Sequence, residues 1–159
     1  MDMLQAHKIP LFSGLTLEQL EPLADGFQSE EFEAGAIIFS QGDPADRLYI
    51  LTSGKVAIKF KPPDGEVITV SEIEDGGVFG WSSTLGRDSY TSGACCQEDC
   101  ETISISGQDL RIMCEEHPDT GVIILERLAG VIAQRLRNTH AHVVEMLRQG
   151  IQGNSQDNS

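Results

Sequence analysis

The spacing of hydrophobic positions changes twice along this chain and divides it into three parts and a tail. Residues 4 to 26 read as helix, broken by the apolar run Ile9-Pro10-Leu11-Phe12. Thr16 and Gln19 have the spacing of a capping box, and Leu17, Leu20, Leu23 and Ala24 carry the pattern to Gly26 as the stop. Pro22 sits awkwardly inside so short a helix. An N-terminal helical segment is therefore expected over 1–28.

The period then shortens. Segments of β type fall at 31–33, 37–39, 48–51, 56–60, 67–70 and 102–105, separated by turn chemistry such as Gln41-Gly42-Asp43-Pro44, Ser53-Gly54-Lys55, Pro62-Pro63-Asp64-Gly65 and Asp75-Gly76-Gly77. Many short strands so spaced predict an antiparallel barrel or jelly roll over 29–106. In 56–60, alternation places Val56, Ile58 and Phe60 on a buried face and Ala57 and Lys59 on a wet one.

After Gly107 the period becomes helical. A short helix is expected over 108–116, Pro118 ends or restarts it, and a long helix follows from Asp119 to about Gln149. Leu125, Leu128, Ile132, Leu136, Thr139, Val143 and Leu147 recur at three- and four-residue steps. Such a seam needs a cover, either the chain's own roll or a second copy in a homodimer. Parallel and antiparallel pairing both remain open. Gly121 and Gly130 lower helix propensity, so packing must hold this helix. Residues 150–159 are polar and expected to be disordered.

Composition restricts the function classes. One domain with a real core fits 159 residues at 40% hydrophobic content. The net charge of −14 opposes non-specific attraction to nucleic acid or an anionic membrane. The acidity belongs to the first 120 residues, with 7 basic and 22 acidic side chains; beyond them there are 4 and 3. No apolar run is long enough to span a membrane, and the first residues do not resemble a signal peptide. A cytoplasmic location is expected, with Cys95, Cys96, Cys100 and Cys114 as thiols.

The glycine-bearing turns carry a resemblance in combination. Residues 41–51 followed by Ser53-Gly54-Lys55-Val56, by Gly77-Val78-Phe79-Gly80 and by a final long helix resemble the cyclic-nucleotide-binding domain of the bacterial catabolite-activator type, over roughly residues 10 to 149. The resemblance implies a mainly β fold with flanking helices: an antiparallel double-stranded β-helix, cupin-like in its jelly roll, followed by a dimerisation-type helix. It implies a phosphate loop within 79–92. Members that bind cyclic nucleotides use a glutamate after Phe-Gly for the ribose and a later arginine for the phosphate. Here Trp81 stands at the first position and Ser89, beside Tyr90, at the second.

Cyclic AMP or cyclic GMP is thus the effector the family implies, while both charged contacts are missing. Phe79-Gly80-Trp81-Ser82 is similar to a stand-alone branch with tryptophan at the glutamate position. The candidate ligand residues are Gly80, Trp81, Ser82, Ser83, Arg87, Ser89, Tyr90 and Thr91. Small hydroxyl residues after Gly80 suit an oxyanion nest. Arg87 is the nearby cation, either a phosphate ligand after a two-residue shift or a surface residue of a tight turn. Trp81 either fills the cavity or stacks on a flat ligand.

The remaining chemistry is sparse. Cys95 and Cys96 are adjacent on a strand and face opposite ways, so they do not form one closed site. Cys96 and Cys100 are read as buried thiols or as a reversible disulfide pair. His140 and His142 do not share a helix face, so no metal site is expected. His117 before Pro118 marks a helix boundary. No nucleophilic triad or Gly-x-Ser-x-Gly is present, and the chain is not expected to be an enzyme.

Residues 150–159 are too few for a helix-turn-helix, so direct DNA binding is not expected of this sequence. The leading reading is a regulatory domain that senses a small effector or acts as an adaptor for a partner protein. The competing readings are an interaction module with its pocket filled by Trp81, and a transcriptional component without its own DNA-binding domain.

Overall fold

The structure is a computed structural model that describes residues 8–157. Side chains of Ser83, Thr139, His142, Val143, Met146 and 150–157 lie outside the described set. A short 3₁₀ turn at Pro10–Phe12 occupies the apolar break. The first α-helix, α1, spans Leu17–Gly26 and opens on the expected capping box. The Thr16 hydroxyl accepts from the Gln19 amide at 3.2 Å, and the Gln19 side chain accepts from the Thr16 amide at 2.9 Å. Pro22 is held inside the helix without ending it.

Eight strands follow: β1 Gln28–Phe32, β2 Ile37–Phe39, β3 Arg47–Ser53, β4 Val56–Phe60, β5 Ile68–Ile73, β6 Val78–Phe79, β7 Gly93–Cys96 and β8 Cys100–Ser106. They form two four-stranded antiparallel sheets, ordered β1-β8-β3-β6 and β2-β7-β4-β5, the jelly roll expected from the turn spacing. Strand β6 was not marked by local pattern, and β7 only through Cys95 and Cys96, read as adjacent strand residues. Two residues carry no period, and Gly93-Ala94-Cys95-Cys96 has little strand propensity, so pairing creates both strands: β6 on β3, and β7 between β2 and β4.

Alternation along β3 joins the two halves of the core. Leu48 and Ile50 point into a cluster with Phe12, Leu20, Leu23, Ile105 and Ile124, while Tyr49 and Leu51 point into the roll with Phe39, Val56 and Phe79. The wet face expected of β4 is only partly wet. Lys59 is exposed, but Ala57 is fully buried. It sits in a central strand of its sheet, paired with Glu72 on β5 and Cys95 on β7, both larger than alanine.

Helix α2, Gly107–Glu116, is capped by the Ser106 hydroxyl, which accepts from the Asp109 amide at 3.0 Å. His117 separates it from α3, Pro118–Asp157. Gly121 has a packing reason: a Cβ there would lie 2.8 Å from the Cα of Cys114, so α2 and α3 meet where no side chain intervenes. The bounds of α3 extend past the expected end near 149 into the segment read as a tail. No proline lies in 150–157 to interrupt the backbone ladder.

The α3 seam is divided between two faces. Ile124 and Leu128 are buried in the chain's own core, and Val131 and Ile132 pack against it. Leu125, Leu136 and Leu147 are exposed at 46%, 61% and 62%, with Val122 beside them at 56%. Steps of eleven residues equal about three turns, so these three leucines fall on one line, rotated away from the inner line through Leu128. Thr139 and Val143 have side chains outside the described set. The Arg127 guanidinium ties α3 to the N-terminal turn by donating to the carbonyls of Leu11 and Ser13.

Candidate functional site

The site begins where β6 ends. Gly80 has φ +73°, and a Cβ there would lie 3.1 Å from the Tyr49 ring, 3.2 Å from Phe39 and 3.3 Å from the Arg47 carbonyl. Only glycine lets the chain turn this tightly against the aromatic cluster. A 3₁₀ turn, Trp81–Leu85, follows, with the Thr84 hydroxyl donating to the Trp81 carbonyl at 2.6 Å.

The returning segment is fastened to the first residue of β3. Tyr90 donates its hydroxyl to the Arg47 carbonyl at 2.7 Å and accepts from the Arg47 amide at 3.2 Å. Its ring stacks on Phe39 at 3.8 Å between centroids. Burial raises the Tyr90 pKa, and in Tyr49 the same effect, reinforced by Tyr90, pushes the phenol up to about 12. Both phenols are structural and neutral at physiological pH.

Between loop, roll and α3 lies a cavity of about 270 Å³. Phe39, Ile58, Phe60 and Phe79 supply apolar wall, and Ser71, Ser82, Thr91 and Ser92 supply hydroxyls. Ser82 is only 6% exposed, and among the described residues its hydroxyl has no hydrogen-bond partner. Trp81 is a wall of this space and leaves it open; it also packs against the N-terminal core.

Gly80, Trp81, Ser82, Tyr90 and Thr91 therefore come together as expected candidates. Arg87 and Ser89 do not. Both are exposed and away from the lining, and Ser89 forms a bridge with Pro44. The Ser83 side chain lies outside the described set.

The cation in the cavity comes instead from α3. Arg135 lines it beside Leu136, donates to the Val78 carbonyl, and places its guanidinium carbon 4.9 Å from the centroid of the Trp81 ring. Desolvation by burial lowers its pKa to about 10, so it stays charged near neutrality. Its sequence signal was its step of seven from Leu128 along the inner face of α3, which aims it at the roll.

Among the described residues no carboxylate lines the cavity, and no arginine of the 79–92 loop reaches it. The donor set therefore does not fit a cyclic nucleotide held through the family's ribose and phosphate contacts. The sulfur chemistry is equally quiet. All four cysteines are free thiols, and burial, with Cys100 adjacent, pushes the Cys96 pKa up to about 12. Cys95 and Cys96 face opposite sides of β7, the first partly exposed and the second buried. Among the described residues no group of three or more His, Cys, Asp or Glu is placed to hold a metal ion. No helix of the described residues is long and apolar enough to cross a membrane.

A two-sheet jelly roll, a Phe-Gly turn over an aromatic cavity and a long helix across its mouth define a regulatory domain. Residues 29–117, more than half of the chain, match the cyclic nucleotide-binding domain family, and the chain belongs to it.

Among its relatives is the CRP-like cAMP-activated global transcriptional regulator of Mycobacterium tuberculosis, 29% identical over 143 residues, 90% of this chain and 62% of that protein. The cyclic AMP receptor protein of Thermus thermophilus is 30% identical over 128 residues, 80% of this chain and 57% of that one. The chain thus spans less than two thirds of the length of these curated relatives. The crystal structure of the Thermus thermophilus catabolite activator protein superposes with a TM-score of 0.72 at 28% identity, covering 86% of this chain and 62% of that one. A cyclic nucleotide-binding domain from Methylobacillus flagellatus shares the fold, with a TM-score of 0.80 at 19% identity over 91% of this chain and 81% of that one.

Proposed function

We propose that this is an effector-binding regulatory domain whose small-molecule site is the cavity under α3, and whose output is the packing of that helix against a second copy or a partner protein. The open cavity carries the reading. An interaction module with a filled pocket would place the Trp81 indole in that space, and the indole stands at its edge. The Ser82 hydroxyl gives the cavity a buried polar group for a ligand to satisfy.

Two elements that line the cavity, the Trp81 turn and α3, are free to respond together because one side chain of α3 touches both. A ligand that prefers one setting of α3 shifts the population toward it. The outward line of Val122, Leu125, Leu136 and Leu147 is the surface that reads out the setting, as the face of a homodimer. Four free thiols suit a cytoplasmic, reducing environment.

The Phe79-Gly80-Trp81-Ser82 run supports the reading of this chain as one of a branch with tryptophan at the glutamate position, whose effector differs from a cyclic nucleotide. The test is native mass spectrometry of the protein challenged with a library of metabolite acids, amides and nucleotides. A stoichiometric adduct on wild type that disappears in Ser92→Trp, which fills the cavity, is the expected result. The absence of any adduct across the library contradicts an effector site.

A further inference from the structure

We propose that the cavity takes a compact organic acid with an apolar or aromatic body, its carboxylate paired with Arg135 of α3 and its body lying against Phe39 and Phe79 beside Trp81. The inference rests on the reading of this cavity as an effector site and assigns its ligand class.

Among the described residues Arg135 is a cation without a counter-ion. The salt bridge found among the described residues joins Lys55 to Glu72, and no carboxylate lines the cavity. A guanidinium carries five N–H donors. One described hydrogen bond uses this group, to the Val78 carbonyl, and the face of the group lies on Trp81. Donors at its edge are therefore left for the cavity that it lines. A buried charge is costly until it is paired and hydrogen-bonded, so an anion entering here meets a site already desolvated and waiting for it. Arg135 differs from Lys55, Lys59 and Arg87, which lie away from this lining.

The shape of the space narrows the anion. A planar carboxylate matches the fork of a single guanidinium in a bidentate pair. One cation balances one negative charge, in a chain whose net charge of −14 repels multiply charged anions. The volume of about 270 Å³ falls just below the usual span of ligand pockets, roughly 300 to 1,000 Å³, and so suits a compact molecule. Its walls are largely aromatic and aliphatic, and Ser82 and Thr91 offer hydroxyls to a second polar group on the ligand. An acid bound in this way ties the β6 end of the roll to α3 through one side chain.

The test uses the fluorescence of Trp81, the sole tryptophan. The probes are benzoate, phenylacetate and cyclohexanecarboxylate, the neutral benzamide and phenylacetamide, phenyl phosphate, and cyclic AMP. At least one acid is expected to give a saturable change, with its amide about tenfold or more weaker, the span of a lost charge-assisted hydrogen bond. Arg135→Gln is expected to erase the preference for acid over amide, and Arg135→Lys to keep part of it.

The urea midpoint of each variant reports whether it is folded, and the acid-to-amide comparison on wild type needs no variant. Equal binding of acid and amide overturns the proposal, as does a preference that survives Arg135→Gln. Tighter binding of phenyl phosphate or cyclic AMP overturns the carboxylate class and leaves an effector site standing. Silence from every probe overturns the ligand class, while the native mass spectrometry library decides separately whether the cavity is a site at all.

Discussion

The guanidinium of Arg135 lies 4.9 Å from the Trp81 ring centroid, joining the helix that crosses the roll to the turn that follows Gly80. The contact is between a half-buried aromatic and a desolvated cation, and it comes with a hydrogen bond to the Val78 carbonyl. Arg135→Ala is expected to cost about 1 to 2 kcal/mol, the span of a desolvated cation–π pair with its hydrogen bond. The same variant is expected to shift the Trp81 emission maximum, because the charge over the ring is gone. Urea unfolding followed by tryptophan emission measures both effects.

Gly80→Ala tests the turn. The substitution places a Cβ at positive φ and within 3.1 to 3.3 Å of Tyr49, Phe39 and the Arg47 carbonyl. A loss of about 1 to 3 kcal/mol is expected from backbone strain, with crowding added. Gly86→Ala is the control, since it shares the positive φ but has no heavy atom within 4 Å of the new Cβ. Thermal unfolding should show the larger drop for Gly80→Ala.

The two faces of α3 separate folding from association. Leu128→Glu puts an unpaired charge in the core beside Ile124 and is expected to cost about 3 to 5 kcal/mol, enough to unfold much of the protein. Leu125→Glu combined with Leu147→Glu alters exposed positions and is expected to leave circular dichroism and the melting temperature of the monomer nearly unchanged. Sedimentation equilibrium is expected to show the dimer mass for wild type and the monomer mass for this double variant. A wild-type mass for the double variant rejects the outer line as the dimer face.

Much of the scaffold was legible because local chemistry agreed with the tertiary result. The Thr16 and Gln19 spacing becomes a capping box, and the turns around Gly42, Gly54 and Gly80 hold positive φ glycines. Strand β6 and the extent of β7 were not legible, because neighbouring strands make them, although Cys95 and Cys96 were read as strand residues. Ala57 was assigned to water on alternation alone, although it is fully buried between its larger cross-strand partners Glu72 and Cys95. The seam on α3 looked single since three- and four-residue steps sample two adjacent faces.

The candidate site was half legible for a related reason. Gly80, Trp81, Ser82, Tyr90 and Thr91 are consecutive enough to be read from the loop, whereas Arg135 and Leu136 reach the cavity from a helix far along the chain. Local spacing pointed to Arg87 as the cation near the loop. Only the inner line through Ile124, Leu128 and Val131 indicates that Arg135 faces inward instead.

Alkaline pH provides a separate check on the interior. Burial raises the pKa of Tyr49 to about 12 from 10.0 and of Cys96 to about 12 from 9.0. In both, the folded state keeps a proton that the unfolded state loses earlier. Their contribution is therefore complete below about pH 9 and is lost as pH rises through about 12. Urea midpoints are expected to fall over that window. Tyr49→Phe is expected to flatten the decline, and a decline unchanged in this variant removes Tyr49 as a cause.

The most direct test of an effector site coupled to α3 is hydrogen–deuterium exchange with and without a saturating concentration of the probe acid that binds tightest. The account expects slower exchange in α3 around Val131 to Leu136 and in the Trp81 turn, with little change in β1 and β8. Saturable binding that leaves α3 exchange unchanged would contradict it, because the cavity would then hold a ligand without informing the helix.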